Sequence, residues 1–583
     1  MKKMMYFMVP LSRLGIKLSK TAFLFGLLFL IDINAKCCTN FICSRGASAD
    51  GSTMITYAAD SHTRYGQLRY HRGGAHPAGE MVKLYNYGNL RFQIELPQAP
   101  TTYNVVGFIN EHQLAIGETT WGGIEPYSKG NDMGIDYGNL IYVALQRAKN
   151  CREAIAVMAD LTEKYGYADG GETFSLCDPN EAWIFEITSK GAERGAVWVA
   201  RRIPEGYVSG HANQARITTF PLMKKKSYVS IDSKNMKEVF RPEVECVYAA
   251  DMIDFARKQK LFSGKDEEFS FADTFNPLTF SGLRACEARV YAMFNRVSSQ
   301  MKQYEPYVMG LTDYRNAKPE ERLPLWIQPD RKLTVHDVME LMRDHFEGTA
   351  MDMTGDVGAG PFHCPYRWRP MDFEVGGKQY VHERAISTQQ TGFSFVAQCR
   401  SWLPDALGGV LWFGVDDTYS TVYCPMFCGI TEVPICLEEG NGSMAEYSET
   451  AAFWLFNRVS NFCYLRYDSM IVDVRHVQHE LEQDFINIVE QTSQQYQNTE
   501  GSRLVGVLNK TSNRCADRMM QRWKELDHLL LTKYIDGNIK STTPDGRIKT
   551  TETGVVLPPQ QPPYPAWFYE QIVNDHGDVL LAH

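Results

Sequence analysis

Four apolar segments follow one another between Glu172 and Asn213, reading ETFSLCD, EAWIFEIT, AVWVARRI and GYVSGHAN, each bounded by Gly, Pro or Asp. Short runs rich in β-branched and aromatic residues, punctuated by turn residues, predict strands of an antiparallel sheet. Hairpins precede them. From Cys38 to about Tyr57, CTNFICSRGAS alternates, ADGS supplies Asp-Gly turn chemistry, and TMITYAAD makes a second strand. The stretch YNVVGFINEHQLAIGETTW, Tyr103 to Trp121, repeats the form about a tight NEHQ turn.

Between and after these strands the apolar period changes. Leu140, Ile141, Ala144, Leu145 and Ala148, then Ala154, Ile155, Met158 and Leu161, keep helical spacing, as do Val335, Val338, Met339, Leu341 and Met342. Further on, AISTQQTGFSFVAQ and GGVLWFGVDD predict strands, while ETAAFWLFNRVSNFCYLRY and RHVQHELEQDFINIVEQTSQQYQ predict helices. From about Glu500 the chain turns polar and Leu557 to Trp567 is Pro-rich, so a helix followed by a strapping segment is expected. No internal repeat is present. Strand-rich hairpins, a helix pair, strands and helices again predict an α+β protein, its antiparallel sheets covered by helices.

The N-terminus reads as an export leader. Lys2, Lys3, Arg13, Lys17 and Lys20 precede or flank the apolar run Thr21 to Ile31, and Ala35 offers a small residue for cleavage. The run is shorter than the roughly 20 apolar residues of a membrane span. A secreted or periplasmic protein with no stable span after leader removal is expected, a retained signal-anchor being the rival. Lys36 before Cys37 argues against a lipoprotein signal. The net charge of −9 excludes a nucleic-acid binder, which needs a basic footprint. The oligomeric state is not legible.

Directly behind the leader stands AKCCTNFIC, with Cys37 and Cys38 adjacent. Neighbouring cysteines in one extended segment pair poorly with each other. A cysteine at a mature N-terminus has a chemical advantage. Its own α-amino group, with a pKa of roughly 7.7–8.0, can accept the thiol proton, so nucleophile and base arrive in one residue. Until the chain is cut, that amine is an amide and cannot act. On local chemistry alone, the reading of Cys37, Cys38 and Cys43 as disulfide partners or buried strand residues is the favoured one, since secreted cysteines usually pair.

The longer match separates these readings. CTNFICSRGASADGSTMITYAAD, Cys38 to Asp60, closely resembles the opening of family sixty-nine of the cysteine peptidases, the N-terminal-nucleophile dipeptidases related to the choloylglycine hydrolase group. The pieces NEHQLAIGETTWGG, HANQARI, RACEARVYAMFNRVS, RAISTQQTGFSFVAQCRSWLP and GVLWFGVDD also look like this family, in the same order and reaching Asp417. The resemblance implies a four-layer αββα sandwich. It implies Cys38 as nucleophile and, through its freed amine, general base, with Asp60 holding that amine. Asn213 would donate to the tetrahedral oxyanion, Thr120 would stand on the oxyanion side, and Arg289 would lie close to the thiol and favour thiolate. One departure stands out: where the family usually has Arg-Asn-x-Asp, this chain has Tyr57-Ala58-Ala59-Asp60. Arg289 or Arg64 is expected to compensate, or substrate preference to differ, or catalysis to be weaker.

The domain reading is therefore a signal peptide over 1–35, a short propeptide over 36–37, a peptidase domain over 38–495 and a helical, Pro-rich extension over 496–583. The expected activity is hydrolysis of dipeptides or short peptides through a thioester, with neither cofactor nor metal. The alternatives are an amidase on acyl amino acids or bile salts, and a non-catalytic secreted binding protein whose cysteines all pair. A papain-like protease is excluded by the absence of its Cys-containing stretch. His336 and His345 read as helix-surface residues, and His476 and His479 share a helical face without forming the His-Glu-x-x-His signature. Cys424 and Cys428 lack a second pair at zinc-finger spacing. Met353 to Phe362 is Gly-rich but lacks the ending of a phosphate loop, and reads as a loop near the active site.

Overall fold

Apolar alternation at the front of the chain produces strand β1 (Cys37–Cys43), antiparallel to β2 (Thr53–Asp60), with Cys38 opposite Ala59 and Ile42 opposite Ile55. The structure, a computed structural model, describes residues 37–130, 134–224, 226–368 and 371–582. The expected leader and Lys36 lie outside these residues. The connection between β1 and β2 is wider than an Asp-Gly turn, because tertiary bonds take its backbone. Ser44 N–H donates to the Tyr207 carbonyl at 3.2 Å and Ala49 N–H to the Leu333 carbonyl at 2.8 Å.

The remaining elements follow the expected order. Strand β3 (Ala115–Trp121) leads to helices α1 (Tyr137–Arg147) and α2 (Cys151–Tyr165). Asp136 and Asn150 cap these helices, each accepting from the backbone N–H three residues on. Then come β4 (Gly171–Cys177), β5 (Ala182–Lys190), β6 (Glu193–Arg202) and β7 (Val208–His211). Helices α3 (Ala288–Val297) and α4 (Val335–Leu341) precede β8 (Thr391–Cys399), β9 (Val410–Val415) and β10 (Cys424–Phe427). Helices α5 (Ala452–Cys463), α6 (Tyr467–Tyr496), α7 (Gly501–Lys533) and α8 (Ala566–His576) complete the chain.

Two sheets organise these strands, and the class is α+β. In the first, the order is Trp326–Ile327, β7, β1, β2, β8, β9, β10. In the second it is Ser230–Asp232, Cys246–Tyr248, β6, β5, β4, β3, then Ile109–Asn110, Val105–Val106 and Tyr70–His71. The pairings are antiparallel except between Ser230–Asp232 and Cys246–Tyr248. Strands β1 and β2 touch β3 and β4 across the sheet interface, helices α1 and α2 contact the second sheet, and α3 to α7 contact the first. Covering on both faces explains why all eight residues of β2 are buried, rather than every second one. Gly117 lets the sheets approach: a Cβ there would come within 2.8 Å of Asn40 Nδ2 on β1.

Helix α7 shows how a polar stretch belongs to a core. Leu504, Leu508, Met519, Trp523 and Leu530 recur at helical spacing and are buried, while most of its charged residues face outward and the buried Asp527 accepts from Arg458 Nε at 3.0 Å. Trp523 stacks on Phe456 of α5 with ring centroids 4.4 Å apart. Among the described residues no helix is long and apolar enough to cross a membrane.

Candidate active site

Cys38 sits near the start of β1, where that strand lies between β2 and β7 and over β3. Its side chain is buried and its sulfur is a thiol. Of the residues expected at the site, the structure brings Asn213 and Arg289 directly onto this cysteine. The backbone N–H of Cys38 donates to Asn213 Oδ1 at 3.0 Å. Arg289, on α3 and fully buried, donates from Nη1 to the Cys38 carbonyl and to Thr39 Oγ1, both at 2.7 Å, and from Nη2 to Asn213 Oδ1 at 2.8 Å. The amide nitrogen of Asn213 in turn donates to the Thr120 carbonyl. Thr120 thus enters through its backbone oxygen. Asn213 holds a left-handed backbone, φ 59°, a conformation Asn tolerates better than most residues.

Asp60 closes β2 opposite Cys37 and is buried. Its carboxylate accepts from Thr391 Oγ1 at 2.7 Å and lies 3.4 Å from Arg384 Nη2. Arg384, Met353, Arg367 and Gln390 line a cavity beside it. The Gly-rich loop expected near the site therefore contributes Met353 to that cavity.

The contacts of Tyr57 and the presence of Glu118 and Glu172 escaped the sequence reading. Tyr57, in the place of the family's arginine, brings its hydroxyl 3.8 Å from Cys38 Sγ and bonds to Glu118 Oε1, which is itself 3.8 Å from Sγ. Glu118 on β3 and Glu172 on β4 share one face, because Glu172 pairs with Thr120, two residues from Glu118. Both are buried. A signal was present: each is the one charged residue of its strand, and the two-residue step from Glu118 to Thr120 fixes the face.

Electrostatics follow from this crowding. Burial pushes the Cys38 thiol well up, with Glu118, Asp60 and Glu172 adding to the effect and the Tyr57 hydrogen bond opposing it. The resemblance implies that Arg289 lowers the thiol. Its guanidinium donates to carbonyl, hydroxyl and amide oxygens around Cys38, and Glu118 Oε1 stands 3.8 Å from the sulfur. Burial, then the Glu118 charge, pushes the Glu172 carboxyl well up. Arg64, the other suggested substitute, bonds to Tyr137 Oη at 3.0 Å and stacks over the Tyr87 ring at 4.4 Å.

Elsewhere, His336 on α4 comes 3.9 Å from Glu340 and 3.8 Å from Glu482, the three within metal-binding reach of one another. Those carboxylates are already engaged by cations. Arg343 bonds to both at 2.5 Å and Arg475 to Glu340 at 2.7 Å. His479 meets His336 edge to face. His345, expected on a helix surface, is buried beyond α4, 3.2 Å from Glu347 and packed against the Tyr366 and Tyr419 rings. Cys424 and Cys428 are buried thiols at β10.

With this geometry in view, the relatives can be placed. The family model described as peptidase family C69 matches residues 37–106 and 95–480. The chain belongs to peptidase family C69. It is 24% identical over 421 residues to a probable dipeptidase of Salmonella dublin, covering 67% of this chain and 81% of that protein. A dipeptidase of Bifidobacterium longum is 23% identical, over 69% of this chain and 73% of its own length. A probable dipeptidase B of Lactococcus lactis is 24% identical, over 75% and 83%. For this C69 chain, the family match begins at the cysteine pair and ends within α6.

Proposed function

We propose that this C69 peptidase is an exported cysteine dipeptidase of N-terminal-nucleophile type, its two sheets and flanking helices forming a four-layer αββα sandwich. The observation that carries the reading is the convergence of Asn213 and Arg289 on the backbone of a buried thiol at Cys38. The names of its relatives supply the substrate class, a dipeptide.

In this reading, removal of residues through Cys37 frees the Cys38 α-amine. A thiol held up by burial and acids keeps its proton at rest, so attack needs a base beside it. The freed amine, with an ordinary pKa of roughly 7.7–8.0, accepts that proton as Sγ bonds to the scissile carbonyl carbon. Asn213 Oδ1 orients the amine, and Arg289 fixes the carbonyl on the other side of the same residue. The family resemblance assigns the Asn213 amide to the oxyanion of the tetrahedral intermediate. The amine then protonates the leaving nitrogen, the C–N bond breaks, and a thioester remains. Water, deprotonated by the same amine, releases the acyl group and restores the thiol.

The test joins N-terminal sequencing to a hydrolysis assay. Active protein should begin at Cys38 and cleave dipeptides in preference to conjugated bile salts. Cys38→Ala should lose activity by about 10⁴-fold or more, while Cys37→Ala is expected to be processed and active. An active protein beginning at Lys36, or a Cys38→Ala variant as active as its parent, refutes the reading.

A further inference from the structure

The thiol is surrounded by acids, and one pair of them has no cation. Asp60 has Arg384 and Thr391. Glu118 and Glu172, by contrast, form no ion pair among the described residues. Tyr57 donates to Glu118 Oε1, but Glu118 Oε2 and both oxygens of Glu172 receive no hydrogen bond as carboxylates. Buried carboxylates are ordinarily paired with a cation or converted to the neutral form, because burying an unpaired charge costs several kcal/mol. Here the fold holds two of them within one face of the second sheet, beside the sulfur.

We infer that Glu118 and Glu172 form the subsite for a cationic α-amino group on the substrate, so that the enzyme selects peptides with a free N-terminus. This rests on the proposed dipeptidase reading and deepens it. The distances fit. Glu118 Oε1 is 3.8 Å from the attacking sulfur. In a substrate the α-nitrogen lies two bonds, about 2.5 Å, from the carbonyl carbon that the sulfur attacks. An ammonium on the Glu118 side of that carbon is therefore within hydrogen-bonding reach of its carboxylate. It would pair with Glu118 directly, with Glu172 as a second acceptor. Tyr57 fixes the carboxylate by donating to Oε1, and Oε2 carries no protein hydrogen bond. The substitution of tyrosine for the family's arginine then has a consequence: an arginine reaching this point would neutralise Glu118, whereas a hydroxyl orients it and leaves its charge for a ligand. An N-acylated substrate brings no cation and would leave the pair buried and uncompensated, which is a penalty rather than a missing contact.

The experiment measures kcat/KM for a dipeptide and for its N-acetyl derivative, using the mature full chain and its Glu118→Gln and Glu172→Gln variants. Glutamine preserves the acceptor for Tyr57 and the shape of the pocket, and removes the charge. The parent should favour the free dipeptide, and the ratio of the two kcat/KM values should fall by about tenfold or more in Glu118→Gln, through KM, with a smaller fall in Glu172→Gln. Equal losses on both substrates, or no loss, in Glu118→Gln would overturn the subsite and leave the dipeptidase reading standing. A parent that cleaves the acetylated form in preference, by a Cys38-dependent reaction, would overturn both.

Discussion

Two acid clusters among the described residues are built on opposite principles. At the junction of α4 and α6, Glu340 and Glu482 meet Arg343 and Arg475, charge for charge. Burial pushes the Glu340 carboxyl up, but the two guanidinium groups outweigh it and hold it at about 2. At the head of β1, Glu118 and Glu172 stand beside Cys38 with hydroxyls for company, and burial leaves the Glu172 carboxyl and the thiol raised. A neutralised cluster is a joint: it ties the helices to the sheet through Tyr423 N–H, which Glu482 accepts at 3.0 Å. An unneutralised one stores an unmet interaction. The same residue type serves packing in one place and chemistry in the other, and the difference is read from the partners.

That contrast can be broken first on the balanced side. Arg343→Ala leaves Glu482 buried without its cation and should lower stability by about 3–5 kcal/mol in chemical denaturation. Activity per folded molecule should be unaltered. On the unbalanced side the losses should fall chiefly on rate. Asn213→Gly keeps the left-handed backbone but leaves Cys38 N–H, Arg289 and the Thr120 carbonyl short of a partner, so stability should fall by about 1–3 kcal/mol while kcat per folded molecule falls about 10²–10³-fold. The finest test is pH. Glu340, held below its ordinary 4.5, contributes stability that is complete above 4.5 and fades as pH falls through about 2. Glu172, raised, makes a destabilising contribution that is absent below 4.5 and grows as pH rises toward its folded value. Melting temperatures of Glu172→Gln should therefore gain on the parent as pH increases from 4.5 to about 8. Those of Glu340→Gln should approach the parent as pH is lowered below 4.5.

Much of this was legible in the sequence, for physical reasons. Alternation and turn residues mark β1, β2 and β4 to β7, and the 3.6-residue period marks α1, α2, α5 and α6, since local pattern and tertiary burial agree there. The connection after Cys43 was misread because its backbone bonds to Tyr207 and Leu333, residues far along the chain. Cys38, Asn213 and Arg289 were reached through the family resemblance, and the structure gathers them. Glu118 and Glu172 were not, because strand glutamates ordinarily point to solvent and only the stacking of one sheet on the other buries them. Tyr57 was noticed as a missing arginine; its bond to Glu118 needed the third dimension.

The left-handed turn at Asn213 has an evolutionary consequence. Few side chains accept that backbone, and glycine and aspartate are the nearest substitutes. Glycine brings no group to meet Cys38, Arg289 or Thr120, and aspartate no donor for the Thr120 oxygen. Single substitutions that keep the chain's path thus forfeit the amide, and those that keep an amide, such as glutamine, strain the path. The position is closed to gradual drift from two independent directions.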